Sequence, residues 1–366
     1  MIPGQLQEYP PPVLDRIRLQ NFKTHRDTEI QLGRLTVLVG PNGSGKSSVL
    51  QAIELAGRVA RSDVNISKVS FELLTPMKTA ARDEPILDAC ALNLHGSQPA
   101  AARWSWLVDD MGTSKASVPS SVLVSELSAT LLAPNPRRLA EPVPLSQVVP
   151  RLASDGFGLA DVVTTMRLSD DQSFNAFQAA LSGVVPQVEK IGIKRIKIAY
   201  KRPVVGETPD GPEVFDEDAA RLGHELIFDV SGRKNIPASM MSSGTMITVG
   251  ILALLYSKAR PRILLIDDID HGLHPKAQWD LLKQLRRLLD QFPNLQIVAT
   301  SHSPDLVDEL DPSEVIVLAL REDGTSAAKP LTACPREDML GVLKAGQLWS
   351  AIGEDWVKAA AMEPTP

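Results

Sequence analysis

The stretch Leu35-Thr36-Val37-Leu38-Val39-Gly40-Pro41-Asn42-Gly43-Ser44-Gly45-Lys46-Ser47-Ser48 decides the fold. Leu35 to Val39 is a compact apolar run of strand length that ends at Gly40, and beyond the glycines Val49, Leu50, Ile53 and Ala56 follow helical spacing. A glycine, four residues and then Gly45-Lys46-Ser47, set between a strand and a helix, is the pattern of a phosphate-binding loop in the context it requires. Backbone N–H groups from Asn42, Gly43, Ser44, Gly45 and Ser48 are expected to curl around phosphate oxygens, with the helix N-terminus adding positive potential. Lys46 reaches the terminal phosphates and the Ser47 hydroxyl binds magnesium in this reading.

Upstream, Ile17 and Leu19, then Ile30 and Leu32, alternate with polar residues as in two half-buried strands joined by a loop over Asn21 to Asp27. Downstream, 61–185 lacks a comparable strand rhythm and is broken by Pro134, Pro136, Pro142 and Pro144, so short helices and loops are expected there. Ile191 to Tyr200 and Glu225 to Val230 read as strands of a small antiparallel sheet, separated by a loop rich in Pro, Gly and Asp. The strand and helix alternation then resumes. A helix from Ser243 to Tyr256, a buried strand Ile263 to Ile266, a helix with Leu281, Leu282, Leu285, Leu288 and Leu289 on one face, and a strand Gln296 to Thr300 follow in order. Ser303-Pro304 opens another helix, and Glu314 to Leu320 returns as a strand before an Asp323-Gly324 turn.

Two further segments carry chemistry. Ile263-Leu264-Leu265-Ile266-Asp267-Asp268 is an apolar strand delivering two acids to its C-terminal end, where ligands of open parallel sheets gather. Asp267 is expected to hold the magnesium shell and Asp268 to polarise an attacking water, because phosphoryl transfer asks mainly for positioning and charge stabilisation. His302, in Thr300-Ser301-His302-Ser303-Pro304, follows a buried strand where its ring reaches a terminal phosphate or the catalytic water, or else serves as a loop residue.

The order of these motifs, with Met241-Ser242-Ser243-Gly244-Thr245 before a helix, His271-Gly272-Leu273-His274-Pro275 after the acids and Leu19-Gln20-Asn21-Phe22-Lys23-Thr24-His25 at the start, resembles the ABC-type ATPases of the SMC, RecF and OLD group. The resemblance covers both ends of the chain up to about Leu320 and only loosely its middle. It implies an α/β fold, a P-loop NTPase of ABC-head type with a mixed parallel core sheet, an antiparallel β subdomain and an inserted helical lobe. The implied layout is a β hairpin and phosphate loop over 1–60, a helical lobe over 61–185, an antiparallel segment over 186–240, the rest of the ATPase core over 241–330 and a helical tail over 331–366. It also implies ATP and Mg2+ as cofactors, and makes Ser242, Ser243 and Gly244 the signature segment that caps the terminal phosphate held by a second head. Asp268 departs from the family, which usually has glutamate there; the carboxylate is shorter by one methylene, and slow hydrolysis is expected. The clustered acids of an OLD-type nuclease domain and the long hairpin of SMC-like proteins have no counterpart in the sequence, so nuclease activity is not expected.

Composition bounds the remaining classes. With 366 residues, 43% hydrophobic and 22% charged, the chain reads as globular, with either one large domain or two modest ones. Two cysteines, Cys90 and Cys334, lie outside any metal-type spacing and suit a reducing compartment. Met1 to Pro12 lacks the layout of a signal peptide, and Met246 to Tyr256 is too short to span a bilayer, so a cytoplasmic protein is expected. The net charge of -6 offers no global attraction to nucleic acid. Locally, Lys190, Lys194, Arg195, Lys197, Lys201 and Arg202 crowd one strand, either as a nucleic-acid face or as a solvated face neutralised by Glu207, Asp210, Glu213, Asp216, Glu217 and Asp218. His95, Trp104 and Trp106 are read as packing residues. The sequence leaves three functions open: an ATPase that dimerises head to head and gates an effector nuclease or toxin in anti-phage defence, a RecF-like DNA-binding clamp, and an ATP-binding scaffold with little turnover.

Overall fold

The protein is described by a computed structural model over residues 14–60, 90–95, 104–108, 114–117, 128–145, 150–208 and 211–358. Met1 to Pro12, most of 61–128, Asp210 and the last eight positions of the tail fall outside the described residues, and so do the side chains of His95, Trp104, Trp106, Glu207 and Glu213. The chain forms two compact units, one from Met1–Leu132, Pro261–Asp270 and Gln278–Pro366, the other from Ala133–Arg260 and His271–Ala277.

The first unit is built on two sheets. Strands β1 (Arg16–Phe22), β2 (His25–Gln31), β4 (Cys90–His95), β5 (Trp104–Val108) and β6 (Ser114–Ser117) form an antiparallel sheet in the order β2-β1-β4-β5-β6. Strands β3 (Leu35–Val39), β7 (Ala129–Leu132), β12 (Ile263–Ile266), β13 (Gln296–Thr300), β14 (Val315–Leu320) and β15 (Ser326–Pro330) form the core sheet in the order β15-β14-β3-β13-β12-β7. Every pairing in it is parallel except β14 with β15. Every residue of β3, β12 and β13 is buried. Strands covered on both faces are mostly apolar, so these segments read as short apolar runs, with Thr36, Gln296 and Thr300 as their buried polar residues.

Helix α1 (Lys46–Ala60) leaves the C-terminal end of β3, and Val49, Leu50, Ala52 and Ile53 are wholly buried along one face. The face of α5 (Pro275–Gln291) expected to be apolar is the buried one, from Leu281 to Leu289. Near the end of the chain, α6 (Ala345–Ile352) packs so closely that a Cβ on Gly346 would lie 2.0 Å from the Pro304 carbonyl oxygen.

The second unit holds helices α2 (Leu159–Ser169), α3 (Asp171–Val184) and α4 (Ser243–Tyr256) with strands β8 (Val143–Pro144), β9 (Val188–Thr208), β10 (Gly211–Val230) and β11 (Arg233–Pro237). α4 is buried from Gly244 to Leu255 and is therefore hydrophobic on every side.

Two expectations are corrected. The stretch 61–185 is not only helices and loops: β4 to β6 extend the N-terminal sheet through β1, and β7 is an edge strand of the core sheet. Their partners are far away in sequence, so local rhythm alone under-reports them. The loop expected after Tyr200 is instead a ladder, with β9 and β10 paired from Val188 with Val230 out to Thr208 with Gly211. Pro203 and Pro212 would break a central strand but are tolerated in the outer part of the ribbon, where β9 and β10 pair only with each other among the described residues, β8 and β11 joining β10 nearer its end at Gly223 to Val230.

Candidate nucleotide site

The phosphate loop begins where β3 ends between β13 and β14. Gly40 has φ +140°, and a Cβ there would lie 2.1 Å from the Leu318 carbonyl oxygen, so neither conformation nor space admits another residue. Gly45 has φ +96°, and its Cβ would meet Ser326 Oγ at 2.5 Å, His25 Nε2 at 2.6 Å and Thr24 Oγ1 at 2.9 Å. Lys46, 6% exposed, donates from Nζ to the carbonyl oxygens of Gly40 and Pro41 at 2.9 Å each and closes the loop on itself. Burial pushes its ammonium below the ordinary lysine value, and the fields of Asp268, Asp267, Asp270 and Glu354 oppose that drop. Ser44 Oγ is buried without a hydrogen-bond partner among the described residues, which fits a loop whose remaining partner is an anion.

The acid-ended strand is tied directly to this loop. Ser47 Oγ donates to Asp267 Oδ1 at 2.9 Å. Two oxygens at that separation match neighbouring corners of an octahedron with metal–oxygen distances of about 2.05 Å, so the pair fits Mg2+. Thr300 Oγ1, wholly buried at the end of β13, donates to the same Asp267 oxygen at 2.7 Å and accepts from the Asp268 backbone N–H at 2.7 Å. Asp268 sits at φ +53°, a left-handed position that aspartate tolerates better than most residues. Its exposed side chain lies 3.8 Å from His302 Nε2, an electrostatic contact longer than a hydrogen bond. The His302 backbone N–H in turn donates to Asp270 Oδ1 at 3.2 Å. Lys46, Ser47, Asp267, Asp268 and His302 thus converge, and Thr300, which the sequence reading missed, links the two acids. The signal for it was a hydroxyl ending a strand whose middle is apolar, directly before Ser301-His302.

The serine-rich segment lies in the second unit. Ser242 caps α4, its Oγ accepting from the Thr245 N–H at 3.2 Å, and Ser242 and Ser243 are exposed while the helix behind them is buried. A Cβ on Gly244 would come within 2.3 Å of the Gly272 carbonyl oxygen, so His271-Gly272-Leu273 packs directly against this helix start. The basic strand is balanced across its ladder. Lys190, Lys194, Lys201 and Arg202 lie opposite Asp229, Glu225, Asp218 and Glu217, whereas Arg195 and Lys197 face His224 and Leu222.

A family model described as an AAA domain, putative AbiEii toxin, type IV toxin–antitoxin system, matches residues 139–308, and one described as an AAA ATPase domain matches residues 13–80. The Septu protein PtuA of Bacillus mycoides is 25% identical over 338 aligned residues, covering 85% of this chain and 41% of PtuA. The OLD nuclease of Thermus scotoductus is 46% identical over 43 residues, 12% of this chain and 8% of that protein. The chain therefore spans less than half the length of these curated relatives. An SMC head solved with the C-terminal winged-helix domain of ScpA superposes with a TM-score of 0.59 at 15% identity, over 90% of this chain and 99% of that one. No described helix is long and apolar enough to cross a membrane. The fold is that of an SMC-type ATPase head, and the phosphate loop and the order of motifs resemble those of the SMC, RecF and OLD-like group.

Proposed function

We propose that the protein binds ATP and Mg2+ at the phosphate loop, dimerises head to head around the nucleotide, hydrolyses it slowly and gates a partner. The observation that carries this reading is the Ser47–Asp267–Thr300–Asp268 chain of hydrogen bonds, which ties the phosphate loop to the backbone of the second acid. Ser47 and Asp267 hold the metal, which neutralises charge on the phosphate oxygens. Lys46 trades its two carbonyl partners for phosphate oxygens. Asp268 orients the attacking water, and His302 donates to the terminal phosphate.

The exposed N-terminus of α4 supplies the second half of each site. Ser242, Ser243 and Gly244 offer a hydroxyl and helix N–H groups to an anion held by the other copy. The partner is an effector nuclease or toxin in anti-phage defence, a reading supported by the likeness to the Septu protein PtuA. A DNA clamp working through Lys194 to Arg202 is the weaker reading, because carboxylates oppose four of the six cations of that strand.

Complementation tests the shared site. Lys46→Ala and Ser242→Arg should each abolish turnover alone. Mixed together they should recover up to about half of parental turnover, since only mixed dimers assemble around ATP and each has one intact site of two. A mixture as dead as its components refutes the shared site.

A further inference from the structure

We propose that His25 is a positioning residue for the phosphate loop, holding the Gly45–Lys46 peptide so that the Lys46 N–H faces the phosphates. This rests on the nucleotide reading above. His25 opens β2 directly after the tight turn at Lys23-Thr24 and is fully buried. Its Nε2 lies 3.1 Å from the Gly45 carbonyl oxygen. A carbonyl only accepts, so the ring is the tautomer protonated at Nε2 and donates that proton to Gly45. The same oxygen accepts the first bond of α1, from the Val49 N–H at 3.2 Å, so His25 grips the residue that caps the phosphate helix.

Peptide planarity converts this grip into aim. In a trans peptide the carbonyl oxygen and the following N–H point in opposite directions. Drawing the Gly45 oxygen down onto His25 therefore turns the Lys46 N–H away from the core, toward the concave side of the loop where an anion binds. The floor beneath Gly45 is a closed network. Ser326 donates from Oγ to Thr24 Oγ1 at 2.6 Å and from its backbone N–H to the Thr24 carbonyl at 2.7 Å. Thr28 Oγ1 donates to the Ser326 carbonyl at 3.2 Å.

A histidine is an unfavourable filler for this space. Its Nδ1 is buried without a partner among the described residues, and burial pushes the ring down to about 4, with the Gly45 bond opposing the drop. An apolar side chain of similar size would avoid both penalties. What such a side chain lacks is the donor at Nε2.

The test compares His25→Leu, which fills the space without a donor, with His25→Gln, which returns an N–H at nearly the same reach. Mg-ATP affinity is read by calorimetry, turnover at saturating ATP by phosphate release, and nucleotide-free melting by scanning fluorimetry. His25→Leu should bind Mg-ATP about tenfold more weakly, the scale of one buried hydrogen bond, with little change in saturated turnover and an unchanged or higher melting midpoint. His25→Gln should recover affinity to within about threefold of the parent. Parental affinity in His25→Leu, or equal weakness in both variants, overturns the proposal. If His25→Leu does not fold, the 15N spectrum of the parent imidazole decides: protonation at Nε2 is expected, and protonation at Nδ1 overturns it. A parent that binds no ATP refutes the nucleotide reading itself, an outcome distinct from these.

Discussion

Thr300→Val is the sharpest perturbation of the site, because it keeps the shape of a buried β-branched residue and deletes only the hydroxyl. That hydroxyl donates to the Asp267 carboxylate at 2.7 Å and accepts from the Asp268 N–H at 2.7 Å. A hydrogen bond to a charged group contributes about 2 kcal/mol, and a buried N–H left unpaired costs about 1–3 kcal/mol. The Asp267 oxygen keeps the Ser47 hydroxyl at 2.9 Å, which limits the first loss. The valine variant should therefore lose about 3 kcal/mol of stability without nucleotide, read as a lowered urea midpoint at unchanged slope. Asp268, released from its tether at φ +53°, should misplace the water, so phosphate release should fall about a hundredfold, within the span assigned to a positioned base. Thr300→Ser should recover most of both. A valine variant with the parent's urea midpoint and turnover would refute the idea that Thr300 organises the two acids.

Three further outcomes follow from the same geometry. His25 is neutral in the fold, at about 4 against an ordinary 6.5, so as pH falls through that window the unfolded chain takes up a proton that the native state refuses. Stability should drop by about 3 kcal/mol from this group alone, and a His25→Gln variant followed by urea titration at pH 7 and pH 4.5 should lose that slope. Gly244→Ala places a Cβ 2.3 Å from the Gly272 carbonyl oxygen, so it should displace the helix start and abolish turnover while Mg-ATP binding by the phosphate loop stays within about threefold of the parent, as calorimetry would read. Asp268→Ala should bind ATP and stop at the bound state, whereas Lys46→Ala should fail to bind; equal phosphate release from both variants and the parent would mean the parent is not a working ATPase.

Much of the site was legible because its chemistry is local. The phosphate loop, the acid-ended strand and Ser301-His302 each lie on a contiguous segment, and buried parallel strands advertise themselves as short apolar runs. Thr300 and His25 were harder to see because each acts across a long sequence separation, from the end of β13 to the end of β12, and from the β1–β2 turn to the loop after β3. The pairing of β1 with β4 and of β7 with β12 leaves no local trace of its register. The ribbon of β9 and β10 runs through prolines that normally end strands, because cross-strand partners such as Arg202 with Glu217 and Lys201 with Asp218 are set by the ladder and not by either segment alone.

In the proposed mechanism bound ATP joins two heads through Ser242 to Gly244. Sedimentation velocity on the Asp268→Ala protein tests it most directly, with and without Mg-ATP and with Ser242→Arg added. The expected result is a monomer without nucleotide, a dimer with Mg-ATP, and a nucleotide-bound monomer once Ser242→Arg is present. An ATP-driven dimer that survives Ser242→Arg, or no change in sedimentation while ATP binds, would contradict it.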